Sequence, residues 1–424
     1  MREILKRIIR EFHVGDFPEL KRRKVAVPVD TGKIISITGP RRSGKTYLLF
    51  QTMRDLISRG IEKKRILYIN FEDERLLLES FDYDDIFIAY KELYHDVKDA
   101  EIFVFFDEIQ NLKNWEKFVR RVYDTRTKNI FITGSNSRVL SREISASLRG
   151  RAITIENLPL SFREFLTFKG VEVDLYSSKG ISEVNRMFEE YLLWGGYPEI
   201  VNFDKSLKLR VLQEYLNLML YRDIIEKYRI RNSYILKYMI KRLFGNFTRE
   251  FSVNKIFNEL KSRGISIGKN ILYEFIEYIA DNYVAAVVGK YEPSVVKQEM
   301  SNKKIYFYDN GLYTANSISL EDEKGKLLEN MVFTELCRRG GKVYFYKNNF
   351  ECDFLVEEFK RLVPVQVTLS WNPDIREREI SGLLKTMNVF GIKEGLIVSL
   401  DGEAEEIIGD KKVKVVSVLK WLLS

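Results

Sequence analysis

Gly39-Pro-Arg-Arg-Ser-Gly-Lys-Thr46 decides how this chain folds. It reads G-x-x-x-x-G-K-T, a glycine-rich loop whose backbone N–H groups wrap phosphates. The stretch before it, Lys33-Ile-Ile-Ser-Ile-Thr38, is short and β-branched and reads as a buried strand. The stretch after it, residues 47–59, has apolar residues at helical spacing and stops at Gly60. A loop between a strand and a helix N-terminus also meets the positive end of the helix dipole. Gly39, Pro40, Arg41, Arg42, Ser43, Gly44, Lys45, Thr46 and Tyr47 are therefore the expected nucleotide-binding set, with Lys45 reaching the β- and γ-phosphates.

A second apolar run, Glu101-Ile-Phe-Val-Phe-Phe106, delivers Asp107 and Glu108 to a strand end. Asp107 is expected to hold Mg²⁺ with the Thr46 hydroxyl, and Glu108 to orient the attacking water. Two adjacent acids favour hydrolysis over binding alone, since phosphoryl transfer needs a positioned nucleophile. A third strand, residues 129–133, leads into Gly134-Ser-Asn-Ser137, where Ser135, with Asn136 as alternate, is the candidate for contacting the γ-phosphate or the water. Arg149 and Arg151 precede a further strand. Either is a candidate to stabilise phosphoryl charge, within the subunit or across an interface; the competing role is to hold a neighbouring acid.

At 424 residues the chain exceeds one compact core. Two cysteines and two histidines exclude a disulfide framework and a His/Cys zinc site. The amino-terminal ten residues read as an amphipathic helix rather than a signal peptide, and no stretch is apolar enough to span a bilayer, so the expected location is the cytoplasm. The net charge of +8 is concentrated between Lys205 and Arg242, where ten Lys and Arg face three Asp and Glu. Such a segment is a candidate DNA or RNA contact or a solvated helix face.

With these residues in view, the chain resembles the prokaryotic AAA+ ATPases, especially an archaeal-enriched family that joins such a module to a carboxy-terminal nuclease-like domain. Further matching stretches are Tyr68-Ile-Asn-Phe-Glu-Asp73, Leu148-Arg-Gly-Arg151, Pro159-Leu-Ser-Phe-Arg-Glu-Phe165 and Gly195-Gly-Tyr-Pro-Glu199. The resemblance implies an α/β fold: a parallel five-stranded sheet with the P-loop strand central, a helical lid, and residues 70–73 near the active site. It also implies ATP as the nucleotide. The expected divisions are 1–157 for the AAA+ core, 158–245 for the helical lid and linker, 246–300 for a winged-helix module and 301–424 for a degenerate restriction-endonuclease-like domain.

In the winged-helix reading, Ser252 caps a first helix and residues 269–281 form the second, which carries Lys269, Asn270, Glu274, Glu277 and Asp281. Three of these five polar residues are acids, which argues against a helix lying on phosphates. The last section reads helix, three strands, helix, strand. The nuclease-like pattern places metal-binding acids at Asp353 and Glu329, with Glu351 assisting. Its next acid and its lysine are replaced by Gln366 and Thr368, which bring no charge, and Lys347 or Lys385 is the candidate substitute. Three functions follow: an Mg²⁺-dependent ATPase driving domain rearrangement on or near nucleic acid, an ATP-dependent signalling or defence switch that binds a protein partner, and an ATP-driven nuclease. A homo-oligomer is compatible with each.

Overall fold

The computed structural model describes residues 1–77, 82–134, 150–317 and 323–424. They form two compact units, Met1–Leu158 and Pro159–Ser424.

In the first unit, β1 (Ile34–Thr38), β2 (Ile66–Asn70), β3 (Phe103–Asp107), β4 (Ile130–Gly134) and β5 (Ala152–Glu156) make one parallel sheet, ordered β2-β3-β4-β1-β5. The P-loop strand is interior but not central: β4 holds the middle, because a single strand, β5, lies beyond β1. β1, β3 and β4 are buried along their whole length, since helices cover both faces of the sheet. Alternation divides the core. Ile35, Ile37, Phe105 and Phe131 face the helix Lys45–Ser58. Ile34, Val104, Phe106 and Ile132 face the helices Arg2–Val14, Asp84–Leu93 and Trp115–Thr125. Phe105 and Phe131 stack with centroids 4.6 Å apart, and truncating either to alanine should cost roughly 3–5 kcal/mol.

The second unit opens with helices, as the sequence suggested: Phe162–Lys169, Ser178–Trp194 and Lys205–Leu218, then a π-helical stretch Met219–Glu226 and Ser233–Gly245. Ser161 and Glu164 form a reciprocal capping box at the first of these. Gly195-Gly-Tyr-Pro-Glu199 is a close-packed joint. The Gly196 N–H donates to Asp309 Oδ2 at 2.6 Å, and Gly195 lies at φ +70°, where a Cβ would fall 1.9 Å from Asp309 Oδ1.

β6 (Glu250–Phe251), β7 (Ala286–Gly289) and β8 (Lys303–Tyr306) form a small antiparallel sheet ordered β6-β8-β7, beside the helices Val253–Ser262 and Lys269–Asp281. Ser252 occupies the expected cap position, but its side chain makes no capping hydrogen bond. Asp281, read as a surface acid, is buried. β8 belongs to this sheet, so a boundary at residue 300 would cut it.

After the helix Lys324–Arg338, a mixed six-stranded sheet is ordered β13-β14-β12-β11-β10-β9. Its strands are β9 (Lys342–Lys347), β10 (Glu351–Glu358), β11 (Arg361–Thr368), β12 (Glu394–Ser399), β13 (Ala404–Ile408) and β14 (Lys411–Ser417), with the helix Pro373–Phe390 between β11 and β12. The order read from the sequence holds through β12. The hairpin β13–β14 and the helix Val418–Leu423 were not anticipated. Among the described residues no helix is long and apolar enough to cross a membrane.

Candidate functional site

The loop after β1 is shaped by backbone that ordinary side chains avoid. Arg42 and Gly44 lie at φ +65° and +90°, and Gly39 at +151°. A Cβ on Gly39 would fall 2.3 Å from the Asn157 carbonyl oxygen, so only glycine fits. Two buried donors fix the Ser43 carbonyl: Asn157 Nδ2 and an Arg23 guanidinium nitrogen, each at 3.0 Å. The other Arg23 terminal nitrogen donates to the Leu158 carbonyl at 2.9 Å. Lys45 is buried, its Nζ donating to the Gly39 and Pro40 carbonyls at 3.1 and 3.0 Å. Tyr47 is half exposed and meets Phe50 edge-on. Arg41 lies 3.6 Å from Glu72 in the segment after β2.

Asp107 ends β3 beside this loop and is fully buried. Its Oδ2 accepts from the Thr46 hydroxyl at 2.8 Å and from the Tyr68 hydroxyl at 3.2 Å, and its Oδ1 accepts from the Thr133 hydroxyl. Burial raises its pKa above the ordinary carboxylate range, with Glu108 adding to the rise and the hydroxyls opposing it. Glu108 sits at φ +50°, a left-handed conformation that costs about 1 kcal/mol or more and must be held in place. Its N–H donates to Thr133 Oγ1 at 2.9 Å, and the Gln110 amide donates to its carboxylate. Register accounts for the convergence: Asn70 pairs with Asp107 across β2 and β3, and the Phe71 N–H donates to the Asp107 carbonyl at 3.0 Å.

Thr46, Lys45, Asp107 and Glu108 therefore share one edge of the sheet. Tyr68, Thr133, Asn157 and Arg23 join them without having been singled out. Thr133 carried a readable signal, a hydroxyl one residue before the strand-end glycine. Arg23 carried none. Arg151 does not join the site within the chain. Ala152 pairs with Ile34 in parallel register, so Arg151 stands at the start of β5, about 17 Å of strand from the loop that follows Thr38. It lies 3.3 Å from Asp124, the alternative considered for it. Ser135, Asn136 and Arg149 lie outside the described residues.

A family profile described as an AAA domain matches residues 31–166. Two domains of unknown function match residues 185–323 and 324–421. An uncharacterized protein of Methanocaldococcus jannaschii, MJ1544, is 36% identical, over 98% of this chain and 94% of its own length. The chain belongs to its family. An uncharacterized protein of Haemophilus influenzae is 30% identical, over 93% of this chain and 95% of its own. Among solved structures, AMPPCP-bound DnaA from Aquifex aeolicus aligns with 65% of this chain and 86% of its own at 14% identity, with a TM-score of 0.26.

Beyond the AAA domain, a second group of acids gathers in the carboxy-terminal part. β10 carries an irregularity against β9 between Cys352 and Leu355, which re-aims Asp353. The Asp353 N–H donates to Gln366 Oε1 at 3.2 Å, and its Oδ2 accepts from the Val367 N–H at 2.9 Å. Thr368, at the lysine position of the nuclease-like pattern, turns its hydroxyl to the Ser370 carbonyl. Neither lysine considered as a substitute reaches the acids as a buried partner. Lys347 pairs with Glu250 and Glu351 at the surface, and Lys385 lines a cleft of about 420 Å³ with Asp353 and Gln366. The buried cation is Lys304 of β8. Its Nζ lies 2.8 Å from Glu351 Oε1 and 3.6 Å from Glu329 Oε1. Burial opposes its charge, yet Glu329, Asp353 and Glu351 together raise its pKa above the ordinary lysine value.

Proposed function

We propose that this chain is an Mg²⁺-dependent ATPase whose cycle rearranges its carboxy-terminal unit on or near nucleic acid. The observation that carries this reading is the 2.8 Å hydrogen bond from Thr46 to Asp107, with Glu108 fixed beside it. It joins the phosphate loop to a strand-end acid through two hard oxygen donors, the kind that suits Mg²⁺. Residues 39–47 would hold the ATP phosphates, and Thr46 with Asp107 would hold the metal. Bound there, Mg²⁺ supplies neutralising charge to the phosphate oxygens. Lys45 would exchange the loop carbonyls it now binds for phosphate oxygens. Glu108, oriented by Thr133 and Gln110, would position the water and accept its proton. Arg151, distant within the chain, would serve phosphate only across a homo-oligomer interface; Ser135 and Arg149 remain candidates beside it.

The test is ATP hydrolysis with and without DNA or RNA. Lys45→Ala should abolish turnover. Glu108→Gln should bind ATP but turn it over on the order of 10²-fold more slowly. Equal turnover in wild type and Glu108→Gln overturns the role given to that glutamate.

The nucleic-acid surface we assign is the basic segment 205–242. Lys205, Arg210, Arg222, Lys227, Arg231, Lys237 and Lys241 are exposed there, with Tyr221 and Tyr234 exposed among them, while Asp223 is buried. Lysines and arginines on phosphates make affinity fall steeply with salt. The helices and small sheet of residues 250–306 suit a winged-helix module, but Glu274 and Glu277 lie exposed on its second helix and would repel a phosphate backbone. The same helix, with Ile271 and Tyr273 also exposed, favours a second reading: a switch whose ATP state is read by a protein partner. Slow turnover indifferent to nucleic acid would select that reading.

A further inference from the structure

We propose that Lys304 is the resident cation of the carboxy-terminal acid cluster and closes that cluster to divalent metal ions. The acids look like a metal site in the sequence, and at least one oxygen of each is already engaged. Lys304 is 4% exposed, and its ammonium sits against Glu351 at 2.8 Å and Glu329 at 3.6 Å. The Tyr306 hydroxyl, two residues along the same strand, donates to Glu329 Oε1 at 2.6 Å. Asp353 Oδ2 is taken by the Val367 N–H, and the Gln366 carbonyl oxygen by the Asp353 N–H. A divalent ion needs oxygens converging at about 2.0–2.6 Å. Among the described residues, no group of three or more His, Cys, Asp or Glu side chains converges in that way.

Charge leads to the same result. An ammonium buried among carboxylates neutralises them from within, and a metal ion entering beside it would meet a like charge in a poorly screened place. The lysine is enclosed where it stands: its stem rises from β8, the middle strand of the three-stranded sheet, and its Nζ lies 5.5 Å from the Phe345 ring centre. Gln366 and Thr368 fit this arrangement: once the cation is built in, neither a second metal-binding acid nor a surface lysine has a role. Metal-dependent phosphodiester cleavage is thus not a property of this cluster, and the ATP-driven nuclease reading falls with it. The inference does not depend on the ATPase reading.

Nucleotide-free, full-length protein titrated with Mn²⁺ tests it, with bound metal read by electron paramagnetic resonance and thermal unfolding followed in parallel. Wild type should bind no Mn²⁺ through this cluster, and any change of its unfolding temperature with Mn²⁺ or EDTA should persist unaltered in Asp353→Asn. Lys304→Met should lose stability, gain one Mn²⁺ site on the order of a hundredfold tighter than any in wild type, and recover stability as the metal binds. Adding Asp353→Asn to that variant should remove the site, and Lys304→Arg should not create one. Mn²⁺ binding by wild type that disappears in Asp353→Asn overturns the proposal. So does a folded Lys304→Met that gains no site. If Lys304→Met fails to fold alone, refolding in Mn²⁺ decides: recovery supports the proposal and continued failure overturns it.

Discussion

Asp107 and Asp353 each belong to a strand of a sheet and each lie among other acids or hydroxyls, yet their surroundings differ in kind. Asp107 is held by hydroxyls from Thr46, Tyr68 and Thr133, three different elements of the AAA domain. These donors hold the carboxylate in place without cancelling its charge. Asp353 shares its neighbourhood with the buried ammonium of Lys304. In the first arrangement the partners are neutral hydroxyls; in the second the chain itself supplies a cation. Acid residues at strand ends are thus weak evidence of metal chemistry until their partners are known.

The largest expected effect contrasts the two directly. Asp107→Asn should cut ATP turnover on the order of 10³-fold, whereas Asp353→Asn should leave it within about twofold. Steady-state hydrolysis at saturating Mg²⁺ measures both, and equal losses would end the distinction. A smaller effect follows from the hydroxyls. Thr133→Val removes the donor to Asp107 and the acceptor for the Glu108 N–H, and should slow turnover about tenfold with ATP affinity little changed. Thr368→Val, which loses a local bond to Ser370, should leave turnover alone.

A further effect, on stability rather than turnover, concerns a third buried acid that is held in yet another way. Burial pushes the Asp309 carboxyl up to about 7, against the N–H groups of Gly196, Gly311 and Leu312 that favour its charged form. The folded state then holds more protons than the unfolded chain between about pH 4 and pH 7. Stability of the second unit should therefore fall as pH rises through that window, by no more than about 1.4 kcal/mol per unit, and level off above it. Urea unfolding at pH 5 and pH 7.5 reads this difference, and Asp309→Asn should shrink it. A slope unchanged in that variant would assign it to other groups.

The parts legible in the sequence are those whose chemistry is local. The phosphate loop, the strand before it and Asp107-Glu108 depend on neighbours a few residues away, and they were found where spacing put them. Thr133 and Tyr68 reach Asp107 through the register of parallel strands, which no short window of sequence reports. The position of Arg151 was not legible for the same reason: closeness to a strand says nothing about which end of the sheet the residue occupies, and both roles considered for it stayed open. Lys304 was missed because it enters from a different sheet. The hairpin β13–β14 was missed although alternation of charged and apolar residues is visible in Lys412-Val-Lys-Val415; β13, with Glu405-Glu-Ile-Ile408, shows none.

Arg23 ties together two stretches of the first unit. One guanidinium nitrogen grips the backbone of the phosphate loop at Ser43, and its twin grips Leu158, the final residue of the first unit. The backbone of Arg23 is itself clasped by both polar atoms of the Gln51 side chain, at 2.7 and 3.1 Å. The Ser43 and Leu158 carbonyls are therefore held by one guanidinium. One side chain thus joins the backbone of the phosphate loop to the last strand-following residues of the first unit, with Arg23 and Leu158 lying 135 positions apart in sequence.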